Sequence, residues 1–387
     1  MKKSRPLFPD YFEESRGGVS KGVLPSQMIR DLVTKGHIRS NPPDPIQESQ
    51  IQPASIDLRL GDVAYRVRAS FLPGDSTKVL TKVQDFLMSE IDLSRPTVFE
   101  KGSVYIVPLL EELSLPRDTS AKGNPKSTTG RLDVFTRLII DNGKEFERVP
   151  NGYHGPLFAE VVPRTFTVRV LKGLTLSQLR FIRGRPKSPD AQLKELNKED
   201  WLVYGTDERP SKAKIQDGLW VSVNLCPSNG SNIVGYRAKK NAPLIDLQNI
   251  DYYDPGEFWD LVGAPATGGI ILNPGDFYIL GSKERLSVPP DFAAEMVAMD
   301  PSLGEFRIHY AGFFDPGFGY GMNESMGTPA VLEVRAHEVP FVMEDGQFVG
   351  RLIYSRLLAR PDKLYGPDIG STYQRQALAL SKHFKRS

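Results

Sequence analysis

The chain of 387 residues is long for one domain and comfortable for two. Its formal net charge of +2 gives no global field that would recruit nucleic acid, and its 25% charged and 40% hydrophobic content is ordinary for a globular protein. Because Cys226 is the single cysteine, a disulfide framework within the chain and a multi-cysteine zinc site are both excluded.

The first residues, MKKSRPLFPDYFEESRGG, are basic at the start but carry no apolar core, which is not the pattern of a signal peptide. No run in the sequence approaches the roughly 20 apolar residues that a membrane span needs. A lone cysteine also fits a reducing compartment. We therefore expect a soluble cytoplasmic protein with no membrane partner.

Local patterns in chain order predict few helices. The segment Leu24–Ile38 has an apolar helical face, with Ser26 as the expected N-cap. A second, short charged helix is predicted after Ser188 as N-cap and Pro189 as first helical residue.

Most of the remaining chain predicts short strands separated by turns. The segments TFTVRVLKGLTLSQLRFI and PFVMEDGQFVGRLIYSRL alternate in polarity and are rich in β-branched residues. The first is interrupted by a Lys-Gly turn at Lys172-Gly173, and the second by a hairpin signal at Asp345-Gly346. With 34 glycines and 31 prolines, the chain is predicted to be mainly β, as a barrel or a double sheet.

The chain contains an internal repeat. FEKGSVYIVPLLEELSLPRD (residues 99–118) is echoed by LNPGDFYILGSKERLSVPPD (272–291), so that Gly275 follows Gly102 by 173 positions. The same spacing relates Glu160 in LFAEVV to Glu333 in VLEVRA. We predict two homologous domains, residues 1–185 and 212–387, joined by a linker over residues 186–211.

The two copies differ where chemistry is expected. The first carries GNPKSTTGRLD, whose cations and hydroxyls on a tight turn can hold a phosphate, whereas the second has AMDPSLGEF there. The second carries the compact HYAGFFDPGFGYG, whereas the first has a longer charged segment. A scaffold would need similar residues in both copies, so each domain is predicted to contribute half of one site.

Taken together, these motifs resemble the dCTP deaminase family of the trimeric dUTPase-like superfamily, in a tandem-duplicated form. KSTTGRLDV is similar to that family's Arg-Ser-Ser-x-x-Arg phosphate motif, with Lys126 and Thr128 as departures, and YAGFFDPGFGYG is similar to its nucleoside motif. VLEV has Glu333 where these deaminases keep a catalytic glutamate, and DKLYGPDIGSTYQ resembles their closing C-terminal segment. The resemblance implies two distorted jelly-roll domains with an active site at their interface.

The resemblance also implies hydrolytic deamination of dCTP to dUTP and ammonia, which would supply dUTP for thymidylate synthesis. It makes Glu333 the base that activates water at cytosine C4, assisted by Arg131 and Ser127. Mg²⁺ is expected only as the partner of the substrate triphosphate. Zinc is not expected, because the sequence has neither the H-x-E nor the P-C-x-x-C element of zinc deaminases. The substrate-binding residues implied are Lys126, Ser127, Thr128, Arg131, Ala311, Gly312, Asp315, Lys363, Tyr365 and Gln374.

The sequence leaves three points open: the catalytic glutamate, the exact reaction and the oligomeric state. Glu160 is either a second base or a remnant, and Glu333 is preferred because the nucleoside motif lies in its own copy. A dUTPase, a bifunctional enzyme that converts dCTP to dUMP, and a non-catalytic nucleotide-binding regulator are the alternative functions. A homo-oligomer is expected, but rings of like domains would pair Arg131 with Glu160 instead of Glu333. Asp57 and Arg59 are expected to be structural charges.

Overall fold

The structure is a computed structural model that describes residues 20–40, 43–186, 188–227, 230–298, 306–309, 312–321, 326–336, 338–366 and 378–386, without the side chains of 298 and 306–309. None of the helices in these ranges is long and apolar enough to span a bilayer. Two predicted binding residues, Ala311 and Gln374, lie outside the described residues.

The first half is built from short helices and thirteen strands in the described ranges. The elements are α1 (Ser26–Thr34), α2 (Val79–Phe86), α3 (Ser127–Gly130), a 3-10 turn (Glu48–Gln50), and the strands β1 (Gly22–Val23), β2 (Ile38–Ser40), β3 (Ile56–Arg59), β4 (Val63–Val67), β5 (Leu87–Asp92), β6 (Thr97–Phe99), β7 (Val104–Ser114), β8 (Thr119–Pro125), β9 (Val134–Ile140), β10 (Arg148–Val149), β11 (His154–Pro163), β12 (Val168–Val170) and β13 (Thr175–Arg183).

The second half follows the same plan. Its elements are α4 (Asp190–Asp200), α5 (Pro255–Phe258), and the strands β14 (Val203–Tyr204), β15 (Leu219–Asn224), β16 (Ile233–Ala238), β17 (Ile245–Asp246), β18 (Trp259–Gly263), β19 (Gly269–Leu272), β20 (Tyr278–Leu286), β21 (Phe292–Ala298), β22 (Phe306–His309), β23 (Phe313–Phe314), β24 (Thr328–Ala336), β25 (Phe341–Glu344) and β26 (Phe348–Arg356).

Two main sheets build the first half. One has the strand order β5-β4-β7-β11-β9 with β2 beside β7, and the other has β1-β13-β8-β10 with β3 beside β13. Burial largely alternates along β7, as it does when one face of a strand meets the core. Buried side chains of both sheets, such as Val107, Leu138 and Phe181, belong to one core. The prediction of a mainly β fold is confirmed.

The repeat is visible in the strand registers. Glu160 of β11 lies opposite Ile106 of β7, and Glu333 of β24 lies opposite Ile279 of β20. Both members of each pair are 173 positions from their counterparts, so the sequence offset is also the structural offset. The two glutamates therefore occupy equivalent backbone positions in the two halves.

The two halves share a sheet and a core. Strand β12 of the first half pairs with β6 on one side and, in parallel, with β17 of the second half on the other. The backbone N–H of Ile245 donates to the carbonyl of Thr167 at 3.1 Å. Phe166 packs edge-on against Trp259 with ring centroids 5.4 Å apart. This junction holds residues of both halves at one interface.

The turn predicted at Lys172-Gly173 is present, whereas the hairpin predicted at Asp345-Gly346 is wrong. Gly173 and Gly346 do turn the chain with positive φ, at 83° and 76°. However, β12 and β13 pair with different partners, and so do β25 and β26. Each turn is a corner at which the chain passes from one sheet to another, as in a double-sheet fold.

The two predicted helix starts are each displaced by one residue. Ser26 is the first residue of α1, and its hydroxyl donates to Asp362 instead of capping the helix. Pro189 takes the N-cap position of α4, which begins at Asp190, and Ser188 lies before it. Helix α4 lies in the segment predicted as a linker.

Candidate active site

The phosphate-motif segment follows directly from β8. Lys126 is extended, Ser127–Gly130 forms the single turn of α3, and Arg131 ends it. The backbone N–H of Arg131 donates to the carbonyl of Ser127 at 3.1 Å, which keeps both side chains on one compact turn. Asp133 then adopts φ 54°, a left-handed conformation that Asp tolerates better than most residues, and this redirects the chain into β9.

Arg131 is a buried cation. Its Nη1 donates to the carbonyl of Ala379, in the C-terminal segment, at 3.0 Å. A guanidinium cannot be deprotonated in proteins and stays charged. Arg131 is therefore a fixed positive charge in a poorly solvated place, where its interaction with an anion is strong.

Glu333 lies on β24, which pairs with β20 on one side and β22 on the other. Its neighbours Leu332 and Val334 are fully buried in the core, so the glutamate side chain points to the opposite face of β24. The side chain is 6% exposed. Burial raises the pKa of Glu333 from 4.5 to about 8, although the nearby Arg131 guanidinium acts in the opposite direction. Asp133 adds a further upward contribution to this pKa.

The nucleoside-motif segment forms a tight turn after β23. The backbone N–H of Phe318 donates to the carbonyl of Asp315 at 3.1 Å, and Gly317 and Gly319 take positive φ values of 93° and 61°. Asp315 Oδ1 accepts from Arg180 Nη2 of the first half at 3.2 Å. Burial raises the pKa of Asp315, and the Arg180 guanidinium opposes that shift.

These segments meet in one pocket between the two halves. The first half contributes Ser127 and Arg131 to its lining. The second half contributes Gly312, Asp315, Glu333 and Tyr365. The pocket thus combines a hydroxyl and a cation with the buried Glu333 and the half-buried Asp315. The hydroxyl and the cation can bind a phosphate, and a buried carboxyl group can transfer a proton.

Three other predicted residues lie elsewhere. Lys126 does not line the pocket, because its ammonium pairs with the buried Asp57. Thr128 turns toward a second small cavity, and its carbonyl accepts from Ser381 Oγ at 2.8 Å. Lys363 Nζ lies 3.1 Å from Glu48 Oε1. Lys363 is therefore engaged with the surface near α1 and not with the pocket.

Glu160 has a different neighbourhood from its counterpart. Its Oε1 accepts from Arg137 Nε at 3.0 Å and from Nη2 of the same residue at 2.6 Å. The Arg137 guanidinium also lies over the ring of Phe146, 3.5 Å from its centroid. Glu160 is fully buried and does not line the pocket. In this chain, Arg131 therefore shares a pocket with Glu333 and not with Glu160.

Two arginines at this interface, Arg180 and Arg335, are not among the residues predicted from the sequence. Arg180 binds Asp315, and Arg335 forms a buried ion pair with Asp133. Asp57, expected to be structural, is the partner of Lys126, whereas Arg59 does pair with the buried Glu111, at 2.7 Å. The sequence did distinguish both arginines from their counterparts. At an offset of 173, the aliphatic Ile353 corresponds to Arg180 and the aliphatic Val162 to Arg335.

No group of three or more metal-ligating His, Cys, Asp or Glu side chains is found within the described part of the chain. The pocket lining offers Glu333 and Asp315 as its acidic groups.

Comparison with known proteins gives a consistent family. The model of the 2′-deoxycytidine 5′-triphosphate deaminase N-terminal domain matches residues 20–185, and that of the C-terminal domain matches residues 189–384. The chain resembles a crystal structure described as 2′-deoxycytidine 5′-triphosphate deaminase from Agrobacterium tumefaciens. The two share 45% identity with a TM-score of 0.82, over 88% of this chain and 100% of that one.

Curated relatives agree. A protein of Methanoculleus marisnigri named "dCTP deaminase, dUMP-forming" is 30% identical over 200 residues, 50% of this chain and 99% of that protein. One of Halobacterium salinarum with the same name is 33% identical over 109 residues, and the match spans 27% of this chain and 52% of that protein. With both halves matched by its domain models and a relative matched over nearly its full length, the chain belongs to the dCTP deaminase family.

Proposed function

We propose that this protein hydrolyses the exocyclic amino group of dCTP and releases ammonia. The observation that carries the proposal is the pocket that joins Arg131 of the first half to Glu333 of the second. Because both residues belong to one chain, this site does not require a second copy for its acid–base group and its cation.

Deamination begins with attack of water on C4 of the cytosine ring. Glu333 takes a proton from the water as the C–O bond forms, and then gives a proton to the amino nitrogen as the C–N bond breaks. A carboxyl group that both accepts and donates a proton works best when its pKa is near the working pH. The burial that raises the pKa of Glu333 to about 8 supports this role.

Ser127 and Arg131 are proposed to bind the triphosphate. The guanidinium can hold two phosphate oxygens at once, and the hydroxyl and turn N–H groups can complete the cradle. Lys126 would contribute a further positive charge, with Asp57 as its resting partner. Mg²⁺ would be held by the phosphate oxygens, and zinc is not invoked at any step.

Asp315 is proposed to accept a hydrogen bond from the deoxyribose 3′-hydroxyl. Arg180 supports this role because its positive charge favours the ionised form of Asp315, which accepts but does not donate. Gly312 can offer backbone groups to the base, and Tyr365 packs against Phe318 with ring centroids 5.4 Å apart. Roles for Ala311, Lys363 and Gln374 stay predictions from the family resemblance.

A second candidate is a bifunctional reaction that ends at dUMP. Two observations favour it: several relatives are named "dUMP-forming", and the carboxyl group of Asp57 is buried beside Lys126 of the phosphate motif. In that reaction, water would also attack the α-phosphate, and pyrophosphate would leave. A dUTPase without deaminase activity and a non-catalytic nucleotide binder are the remaining alternatives.

The deciding experiment incubates the full chain with dCTP and with dUTP in the presence of Mg²⁺. Ammonium is measured enzymatically, and nucleotides and pyrophosphate are separated by anion exchange. Ammonium with dUTP as the product supports the deaminase. Ammonium with dUMP and pyrophosphate indicates the bifunctional enzyme, pyrophosphate from dUTP alone indicates a dUTPase, and binding without any product indicates a regulator.

A further inference from the structure

An ion pair between the two halves lies beside the pocket. Arg335 Nη2 of β24 pairs with Asp133 Oδ2, which follows the phosphate motif. Both side chains are buried, with 8% and 1% of their side-chain surface exposed. The same Nη2 donates to Thr165 Oγ1 at 2.7 Å, and Thr165 Oγ1 donates to Asp133 Oδ2 at 2.6 Å. Arg335 Nη1 donates to the carbonyl of Gly275 at 2.5 Å, which fixes the guanidinium further.

The position of the pair in the chain links it to the chemistry. Asp133 follows Arg131 by two residues, on a segment held by a hydrogen bond from its N–H to the carbonyl of Gly130 at 2.8 Å. Arg335 follows Glu333 by two residues on one strand, and residues i and i+2 project from the same face. The ion pair therefore joins the two short segments that carry the cation and the carboxyl group of the pocket.

The pair is not required by the repeated fold. Val162 occupies the strand position in the first half that Arg335 occupies in the second, since Glu160 and Glu333 are in register. An aliphatic residue is thus compatible with this strand. A buried ion pair is weak evidence for stability, because removing two charges from water offsets much of their attraction. The ion pair is therefore better explained by the positioning of neighbouring residues than by a contribution to stability.

We infer that Asp133 and Arg335, with Thr165 between them, are positioning residues that hold Arg131 and Glu333 in their productive relation across the interface. The inference rests on the proposed function, because it assigns the pair a role in that reaction. It predicts that the pair contributes to kcat more than to folding stability.

The pair also contributes to the electrostatics of the pocket. Among the described residues, Arg131 and Asp133 of the phosphate segment act electrostatically on Glu333, and Asp315 of the turn lines the same pocket. Arg335 projects from the same face of β24 as Glu333. His309 lies opposite Glu333 in the register of β22. Among these groups, Asp133 raises the pKa of Glu333, so removing its charge favours the ionised glutamate.

The test uses four variants of the full chain. Asp133→Asn removes one charge with a residue that tolerates the φ of 54°. Thr165→Val removes the bridging hydroxyl but keeps both charges. Asp133→Asn/Arg335→Met removes both charges and restores a neutral interface that is expected to fold. Asp246→Asn is the control, because Asp246 and Arg169 also form an ion pair between the halves, at 3.3 Å, outside the pocket lining.

Ammonia release from dCTP is measured against pH, with melting temperature as the check on folding. We expect Asp133→Asn to lower kcat about tenfold or more and to move the acid limb of kcat/KM about half a pH unit or more to lower pH. Thr165→Val should lower kcat severalfold without moving that limb. The double variant should melt near wild type and still have a lowered kcat. Asp246→Asn should match wild type in both melting temperature and kcat.

Two results would overturn the inference. The first is a double variant with the stability and kcat of wild type, since the pair would then have no role in the reaction. The second is an Asp133→Asn variant that folds with unchanged kcat and pH profile. A wild-type protein that releases no ammonia would instead refute the proposed function, and this inference with it.

Discussion

Glu160 and Glu333 occupy the same strand position in two copies of one fold, yet their surroundings differ. Glu160 is bound by Arg137 from the adjacent strand of its own copy. Glu333 faces a pocket whose lining cation, Arg131, comes from the other copy. Glu160 is held by two hydrogen bonds from Arg137, whereas burial raises the pKa of Glu333 to about 8. The role of a buried glutamate thus depends on which element supplies its cation.

The strongest contrast is expected between Glu333→Gln and Glu160→Gln. Both changes keep the side-chain shape and remove the carboxylate. We expect Glu333→Gln to lower the rate of ammonia release from dCTP by about 10²–10⁴-fold, because a general base is lost. Glu160→Gln should lower the melting temperature, since it breaks a buried ion pair, and leave the rate per folded molecule within about threefold of wild type.

The reverse result would be informative. If Glu160→Gln is inactive and Glu333→Gln is active, the first half carries the site, and the pocket described above is not the reaction centre. Equal and large losses in both variants, with normal folding, would indicate two cooperating glutamates.

A second contrast compares the two arginines that accompany these glutamates. Arg131→Lys replaces a planar fork with a point charge, so we expect kcat/KM for dCTP to fall about 10–100-fold. Arg137→Lys keeps a cation beside Glu160, and its activity should stay within about threefold of wild type. Steady-state kinetics of ammonia release measures both, and near-normal activity in Arg131→Lys would contradict its proposed role at the phosphates.

The smallest expected effect concerns Glu147, a half-buried glutamate of the first half. Burial raises the pKa of Glu147 from 4.5 to about 8, as it does for Glu333, but Glu147 does not line the pocket. Between pH 4.5 and 8 the folded state therefore keeps a proton that the unfolded state releases, and stability falls as pH rises through this window. Glu147→Gln removes the titrating group and with it this pH-dependent loss of stability.

We expect Glu147→Gln to raise the melting temperature by about 3–6 °C at pH 8.5 and to change it little at pH 4.5, with unchanged activity. Differential scanning calorimetry at the two pH values measures the effect. The exposed neighbour Glu145 provides the control, since Glu145→Gln should show no such pH dependence. A shift of equal size at both pH values would show that Glu147 is not protonated in the folded state near neutral pH.

Much of the candidate site could be predicted because it depends on local motifs and on comparison of the two copies. The loss of the phosphate cluster from the second copy and of the compact turn from the first pointed to a composite site. Two residues from these motifs, Arg131 and Asp315, share a pocket with Glu333 in the structure. The hairpin at Asp345-Gly346 was predicted wrongly because a Gly turn sets the direction of the chain but not the sheet to which the next strand pairs.

Partners across the interface could not be predicted from local pattern. Lys363 belongs to a motif that resembles a closing segment, but its ammonium lies beside Glu48, 315 positions away in the chain. Arg180 and Arg335 stood in strands whose pattern is largely apolar, with nothing local to name Asp315 or Asp133 as their partners. The sequence feature that distinguished them was an aliphatic residue at the equivalent position of the other copy.

The sequence by itself determined the mainly β class, the duplication and the residue types of the candidate site, because turns, alternation and motif spacing are local properties. Only the tertiary structure decided that Arg131 shares a pocket with Glu333 and that Arg137 binds Glu160. The physical reason is that electrostatic partners are chosen by distance and burial in space. Two copies with equivalent strands then acquire different chemistry from the side chains that pack against them.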